Sequence, residues 1–91
     1  MKVEIYFTGR VQGVNFRYYA FKRARELGLC GFIRNLADGR VHAVAQGPAD
    51  AVKSFLEWAR QGSPLARVED VEVRELPENH GADLPDFEIR Y

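Results

Sequence analysis

The sequence has a single cysteine, only two histidines and no net charge, and each of these shortages excludes a class of function. One cysteine forms no intramolecular disulfide and cannot build a cysteine-based zinc cluster, so we interpret Cys30 as a small buried apolar residue. Thirteen basic residues balance thirteen acidic ones, whereas nucleic-acid-binding proteins normally carry a basic excess. His42 and His80 lack a chelating spacing, so the sequence predicts no metal site.

Long apolar runs are also missing, since none approaches the roughly 20 residues that a membrane-spanning helix needs. The first short apolar stretch contains Glu4, which is untypical of a secretory signal, so we expect a cytoplasmic protein without a membrane partner. The 91 residues are enough for one hydrophobic core and too few for two, so we expect residues 1–91 to form a single domain.

Seven segments with strand or helix periodicity follow one another along the chain. Alternating apolar and polar residues predict strands over residues 3–8, 29–35, 40–46, 68–76 and 87–91. Apolar stripes at helical spacing predict helices over residues 16–27 and 50–60. The order is two strand–helix–strand units joined by a hairpin at Asp38-Gly39, followed by a short strand. It predicts an α+β ferredoxin-like sandwich, with two helices on one face of an antiparallel sheet.

The segment from Gly9 to Arg17 leaves the first strand, turns, and opens the first helix, with Asn15 as a good N-cap residue. A helix start has unpaired backbone N–H groups and a partial positive charge, and a glycine turn can direct several N–H groups at one anion. Gly13 allows close approach of the backbone, and the planar guanidinium of Arg17 matches two phosphate oxygens. On spacing alone, this segment is either a phosphate cradle or a tight turn followed by a solvated arginine.

A second candidate is Asn35, near the end of a predicted strand and just before the hairpin. Its side-chain amide both donates and accepts hydrogen bonds, so it can hold a water molecule in one orientation. Asparagine is also common where a turn begins. The residue alone leaves both interpretations open.

Taken together, the two segments resemble the signatures of the acylphosphatase family, and the resemblance covers nearly the whole chain. The family's phosphate-cradle signature is similar to Gly9-Arg10-Val11-Gln12-Gly13-Val14-Asn15-Phe16-Arg17. Its second signature is similar to Gly31-Phe32-Ile33-Arg34-Asn35, followed by Gly39, Val41 and Gly47. Phe7 and Ile33 are bulkier than the residues usual in the family, and we interpret both as packing choices.

The resemblance implies a stand-alone enzyme that hydrolyses the carboxyl–phosphate bond of acyl phosphates without a cofactor. It gives Arg17 the role of phosphate-binding arginine and Asn35 that of water-orienting asparagine. The expected phosphate-binding residues are Gln12, Gly13, Val14, Asn15, Phe16 and Arg17. Because neither signature contains a histidine, cysteine or carboxylate, and because an acyl phosphate has a good leaving group, we expect positioning and charge stabilisation to drive an in-line attack by water. Inorganic phosphate is the expected product and the expected competitive inhibitor. We also expect the protein to be a monomer.

Two alternatives keep the fold and change the function. Domains of this family also occur within larger proteins that handle carbamoyl phosphate, so a non-catalytic or carbamoyl-phosphate-handling domain is the first. The second is an RNA-binding module, which uses the same fold and stacks bases on sheet aromatics. The run Gly31-Phe32-Ile33-Arg34 begins like the RNA-binding signature but continues into Asn35-Leu36, and the zero net charge argues against nucleic acid.

Four further residues have open roles in the sequence. We interpret His42 as a partly exposed sheet residue and His80 as a loop residue. Trp58 lies off the apolar stripe of its helix, where it either packs at the helix edge or marks a contact patch. Tyr91 either packs at the sheet edge or places a terminal carboxylate near Arg17.

Overall fold

The computed structural model describes residues 1–77 and 84–91 of the chain. Within these ranges the strands are β1 (Lys2–Arg10), β2 (Cys30–Asn35), β3 (Val41–Gln46), β4 (Arg67–Leu76) and β5 (Glu88–Arg90). The helices are α1 (Phe16–Glu26) and α2 (Ala49–Gln61). The predicted order of elements is confirmed, and the observed ends lie within two residues of the expected ones. His80 and much of the predicted polar loop around it lie outside the described residues.

The strands form one sheet in the order β4-β1-β3-β2-β5. The predicted ferredoxin-like fold is confirmed, with one difference from the expected antiparallel sheet, because β5 pairs with β2 in parallel. The other neighbouring strands are antiparallel, so β4 and β2 run in opposite directions. Because β5 is parallel to β2, it runs opposite to β4. The chain therefore leaves β4 and enters β5 at the same end of the sheet.

The two helices cover one face of the sheet, and the core lies between them and that face. Strand side chains alternate between faces, and Ile5, Ala43 and Ile33 form one fully buried row across three neighbouring strands. The buried stripes of the helices pack against this row: Phe16, Ala20 and Ala24 from α1, and Val52, Phe55 and Ala59 from α2. Phe7 and Ile33 are both fully buried in this core, which confirms their interpretation as packing residues.

The opposite face of the sheet corrects the interpretation of His42, which is only 4% exposed. Its Nδ1 accepts a hydrogen bond from Nε of Arg34 at 3.0 Å, and its Nε2 lies 3.0 Å from Oε2 of Glu4. The rings of Tyr6 and Phe32, on the neighbouring strands, lie 4.8 and 5.8 Å from the imidazole. Long side chains on both neighbouring strands thus cover the imidazole, although neither α1 nor α2 packs on this face.

Two other expectations from the sequence concern packing. Trp58 is half-buried and stacks on Phe16 and Phe55 at centroid distances of 5.9 and 6.1 Å, which confirms packing at the helix edge. Cys30 is half-buried rather than fully buried, because it lies on the face of the sheet that α1 and α2 do not cover. In the part of the chain that the structure describes, neither helix is long and apolar enough to cross a membrane.

Candidate active site

The connection between β1 and α1, residues 11–15, has the geometry of an anion-binding loop. Gly13 has φ of 74° and Asn15 has φ of 60°, so two residues of this short loop adopt the left-handed conformation. No described residue accepts a hydrogen bond from the backbone N–H groups of residues 12–17. Unpaired N–H groups at a helix start attract negative charge. The loop therefore has the donors that an anion would need.

Asn15 occupies the N-cap position that the sequence predicts, but its side chain makes no capping hydrogen bond. An asparagine tolerates the left-handed conformation better than most residues. This backbone conformation, rather than a capping hydrogen bond, explains why an asparagine occupies the position. The first turn of α1 contains no acidic residue that would offset the partial positive charge of the helix start. The space in front of Gly13 is also open, since a Cβ built there would meet no atom within 4 Å.

Side-chain hydrogen bonds hold the loop on two sides. Nε2 of Gln12 donates to the carbonyl oxygens of Leu36 and Arg40 at 2.8 and 2.9 Å, which joins the loop to the connection between β2 and β3. Oγ of Ser63, just after α2, donates to the carbonyl oxygen of Val14 at 2.9 Å. Both carbonyl-directed contacts leave the loop's N–H groups available. The loop is thus fixed in position before any ligand binds, which lowers the cost of binding.

Arg17 lies in the first turn of α1 and is half-buried. Its Nη1 donates to the carbonyl oxygen of Arg90 at 3.4 Å, and its Cζ lies 5.0 Å from the centroid of the Tyr91 ring. No carboxylate of a described residue forms an ion pair with Arg17. Because a guanidinium has five N–H donors, most of those on Arg17 remain available for an anion. Tyr91 contacts Arg17 through its ring but is fully exposed, so the expected packing at the sheet edge is not observed.

Asn35 is the last residue of β2, and its side chain lies on the helix-covered face of the sheet. This placement follows from the alternation of side chains, because Ile33, two residues earlier, is buried in the core. Arg34 pairs with Arg90 in the parallel register, so Asn35 and Tyr91 lie at the same level of neighbouring strands. The Tyr91 ring in turn contacts Arg17. The structure therefore places Asn35 and Arg17 at the same end and on the same side of the sheet.

The side-chain amide of Asn35 is exposed and has no hydrogen-bond partner among residues 1–77 and 84–91. The turn that follows is held by Asp38, whose Oδ1 accepts from the backbone N–H of Arg40 at 3.0 Å. This hydrogen bond, with a second one from the Arg40 side chain, lowers the pKa of the Asp38 carboxyl. Local contacts thus hold the hairpin and leave the Asn35 amide available.

A cleft of about 310 Å³ opens between the start of α1 and the end of β5. Four of the predicted phosphate-binding residues line it, namely Gly13, Asn15, Phe16 and Arg17. The other two and Asn35 do not line it, and the side chain of Gln12 turns toward the hairpin. In the described ranges, no group of three or more histidine, cysteine, aspartate or glutamate side chains could hold a metal ion.

The sequence did not indicate that Ser63 or the side chain of Gln12 holds the loop. Ser63 is 49 positions from Val14, and its contact depends on how α2 packs beside α1. The one available signal was the clustering of Gly62-Ser63-Pro64, which indicated only the end of a helix. Tyr18 and Ile89 also line the cleft, and neither lies in a segment with a recognisable chemical motif.

Comparisons with known proteins agree with this geometry. The family model described as Acylphosphatase matches residues 3–89. An acylphosphatase of Rubrobacter xylanophilus is 51% identical over 89 residues, which cover 98% of this chain and 79% of that protein. The crystal structure of the acylphosphatase from Bacillus subtilis superposes with a TM-score of 0.92 at 40% identity, covering 99% and 98% of the two chains.

The larger protein HypF of T. kodakarensis contains a similar domain, with a TM-score of 0.84 and 33% identity, but this chain covers only 12% of it. The alternative of a carbamoyl-phosphate-handling or non-catalytic domain is therefore not favoured over the activity of the relatives that match over most of their length. This chain belongs to the acylphosphatase family, whose activity is the hydrolysis of acyl phosphates to a carboxylate and inorganic phosphate.

Proposed function

We propose that acyl phosphates are hydrolysed in the cleft between α1 and β5. The backbone N–H groups of residues 12–17, in the loop and the first turn of α1, bind the phosphoryl group. The unpaired N–H groups of this loop are the single observation that supports the proposal most strongly. They are donors whose positions are fixed by Gln12 and Ser63, and donors fixed in this way stabilise charge without reorganising during the reaction. Arg17 neutralises the phosphoryl oxygens with two parallel N–H groups of its guanidinium.

Asn35 holds the attacking water in this mechanism. Its amide oxygen accepts a hydrogen bond from the water and its NH₂ group donates one, so the lone pair of the water points at phosphorus. The water oxygen forms a bond to phosphorus while the bond between phosphorus and the acyl oxygen breaks. The carboxylate leaves with the electron pair of that bond, and a phosphoryl oxygen accepts the proton of the water.

The substrate itself supplies what the site lacks. The two signature segments contain no histidine, cysteine or carboxylate that could act as a nucleophile or a base. The departing carboxylate needs no proton, and the phosphoryl group passes through a loose transition state, so a strong base is unnecessary. Catalysis in this proposal consists of positioning and charge stabilisation.

The test is hydrolysis of acetyl phosphate in ¹⁸O-labelled water, with the purified chain and with chelator present and absent. We expect release of inorganic phosphate at a rate that the chelator leaves unchanged, with the label in phosphate, because water attacks phosphorus. Label in acetate would show attack at the carbonyl carbon and would contradict the mechanism. The absence of enzymatic release would contradict the proposed function itself.

Competitive inhibition by inorganic phosphate follows from the same site, since the product fits the same loop. Titration of the chain with phosphate by calorimetry, under conditions without substrate, measures the binding of phosphate to the free enzyme.

We also propose that the protein is a monomer in the cytoplasm. Light scattering of the purified chain and fractionation of the source cells are the corresponding measurements.

A further inference from the structure

The part of the cleft that the phosphoryl group does not use has aromatic and aliphatic walls. Beyond residues 12–17, the lining consists of the buried Val11, Tyr18 from α1, Ile89 from β5 and Tyr91 just after β5. Tyr18 is 51% exposed and Tyr91 is fully exposed, so neither ring is needed for the core. An acyl phosphate has an anionic end and an uncharged end, and the cleft has a region suited to each.

The side from which water attacks determines which of these walls the acyl group faces. In-line displacement puts the entering water and the leaving carboxylate on opposite sides of phosphorus. Asn35 lies on the sheet, so a water held there approaches from the sheet side. The acyl group then points away from the sheet, toward the exposed surface of α1. Tyr18, which follows Arg17 directly, is the aromatic residue on that side.

The two tyrosine rings of the cleft also differ in their contacts. The Tyr91 ring lies against the guanidinium of Arg17, at 5.0 Å, and thus supports a residue of the phosphate site. Tyr18 makes its contacts with Tyr19, at 5.9 Å between ring centroids, and with Nζ of Lys22, at 5.5 Å from its ring centroid. Neither partner of Tyr18 lines the cleft. Tyr18 can therefore contact a ligand without disturbing the phosphate site.

We propose that Tyr18 forms the binding wall for the acyl group and that the enzyme prefers acyl phosphates with a flat, apolar acyl group. The proposal rests on the proposed function, because it places the phosphoryl group in the loop at residues 12–17. Stacking of an aromatic acyl group on the Tyr18 ring corresponds to a preference of about threefold to tenfold.

The test compares benzoyl phosphate with acetyl phosphate in the wild-type protein and in Tyr18→Ala, Tyr18→Phe and Tyr19→Ala. We expect Tyr18→Ala to lower the ratio of the two kcat/KM values, benzoyl over acetyl, by about threefold to tenfold, through a higher KM for benzoyl phosphate. Tyr18→Phe keeps the ring and should keep the ratio. Tyr19→Ala is the control, since it removes the ring that contacts Tyr18 but does not line the cleft, and it should keep the ratio.

Binding without turnover gives an independent measurement. We expect phenylphosphonate to inhibit the wild-type protein more strongly than methylphosphonate, and Tyr18→Ala to remove this difference while the inhibition constant of inorganic phosphate stays unchanged. Equal losses for both substrates, or an unchanged ratio in an active Tyr18→Ala protein, would overturn the assignment of Tyr18 and leave the proposed function standing. A wild-type protein that hydrolyses neither substrate would instead overturn the proposed function.

Discussion

The two parts of the site, the loop leading to Arg17 and the strand end with Asn35, are built differently. The loop is tied by Gln12 and Ser63, and its helix begins with the fully buried ring of Phe16. Asn35 is exposed, and its amide has no partner among the described residues. The difference fits the proposed division of roles, in which the preformed loop binds the phosphoryl group and the accessible amide at the end of β2 holds the water. Substitutions in the two parts should therefore give different kinetic defects.

Replacement of Arg17 by alanine should have the largest effect. We expect Arg17→Ala to lose a hundredfold to a thousandfold or more in kcat, on the order found for a single preorganised donor, and to lose phosphate binding as well. The reason is that, in the proposed mechanism, the guanidinium contacts the phosphoryl oxygens both before and during the reaction. Steady-state kinetics on acetyl phosphate and calorimetry with inorganic phosphate measure the two effects.

Two further variants identify what Arg17 supplies. Arg17→Lys keeps the charge but not the planar pair of donors, so it should recover only part of the activity. Arg60→Ala is the matched control, since Arg60 is an exposed arginine at the end of the other helix and should leave both measurements unchanged. Full activity in Arg17→Lys would show that charge alone suffices.

Asn35→Ala should give the opposite kinetic defect, a loss of turnover with phosphate binding retained. We expect kcat to fall by about a hundredfold to a thousandfold, because the variant loses a group that positions the attacking water, while the inhibition constant of inorganic phosphate stays near its wild-type value. The unfolding midpoint should change little, since the amide is exposed and bonded to no described residue. Near-complete activity in Asn35→Ala would contradict the water-orienting role.

Gly13→Ala tests the loop itself, with Gly28→Ala as its control. The two glycines have φ of 74° and 72°, and in both cases a Cβ would meet no atom within 4 Å. Both substitutions should therefore lower the free energy of unfolding by a similar amount, about 1–2 kcal/mol, through strain in the left-handed conformation. Only Gly13→Ala places a methyl group in the space in front of the loop.

The difference between these two glycine variants is the prediction. We expect phosphate affinity to fall by about tenfold in Gly13→Ala, a loss of about 1.4 kcal/mol, and to stay unchanged in Gly28→Ala. Chemical denaturation gives the shared effect on stability, and phosphate titration gives the difference. Equal phosphate affinity in the two variants would place the anion elsewhere.

How much of this site the sequence reveals depends on how local the signal is. Arg17 lies next to its loop in the chain, so the glycine turn and the helix start could be predicted from the segment alone. Asn35 could be placed at a strand end by the alternation of residues, although its position at the same end of the sheet as Arg17 needed the strand order and the resemblance. The parallel pairing of β5 and the burial of His42 depend on which strands become neighbours, and periodicity within one strand does not contain that information.

Contacts between distant parts of the chain were the least predictable. The hydrogen bond from Ser63 to Val14 joins two turns that look like ordinary helix boundaries in the sequence. It exists because α1 and α2 pack side by side on the sheet. The residues to which the proposal assigns chemistry therefore lie in segments with a local sequence signal, whereas the residues that hold the loop in position do not.

Ser63→Ala tests whether that support matters for catalysis, and it should have the smallest effect on activity of the series. Ser63 and Val14 are only 3% and 4% exposed, so the variant leaves a buried carbonyl oxygen without its donor and should lower the free energy of unfolding by about 1–3 kcal/mol. If the position of the loop's N–H groups depends on this bond, kcat/KM should also fall, by about threefold to tenfold, because small displacements of preorganised donors weaken transition-state binding. Ser54→Ala, a serine within α2, is the control and should leave kcat/KM unchanged. A destabilised Ser63→Ala protein with wild-type kcat/KM would mean that Gln12 and Phe16 suffice to hold the loop, and that rigidity of the loop is shared among several contacts rather than assigned to one.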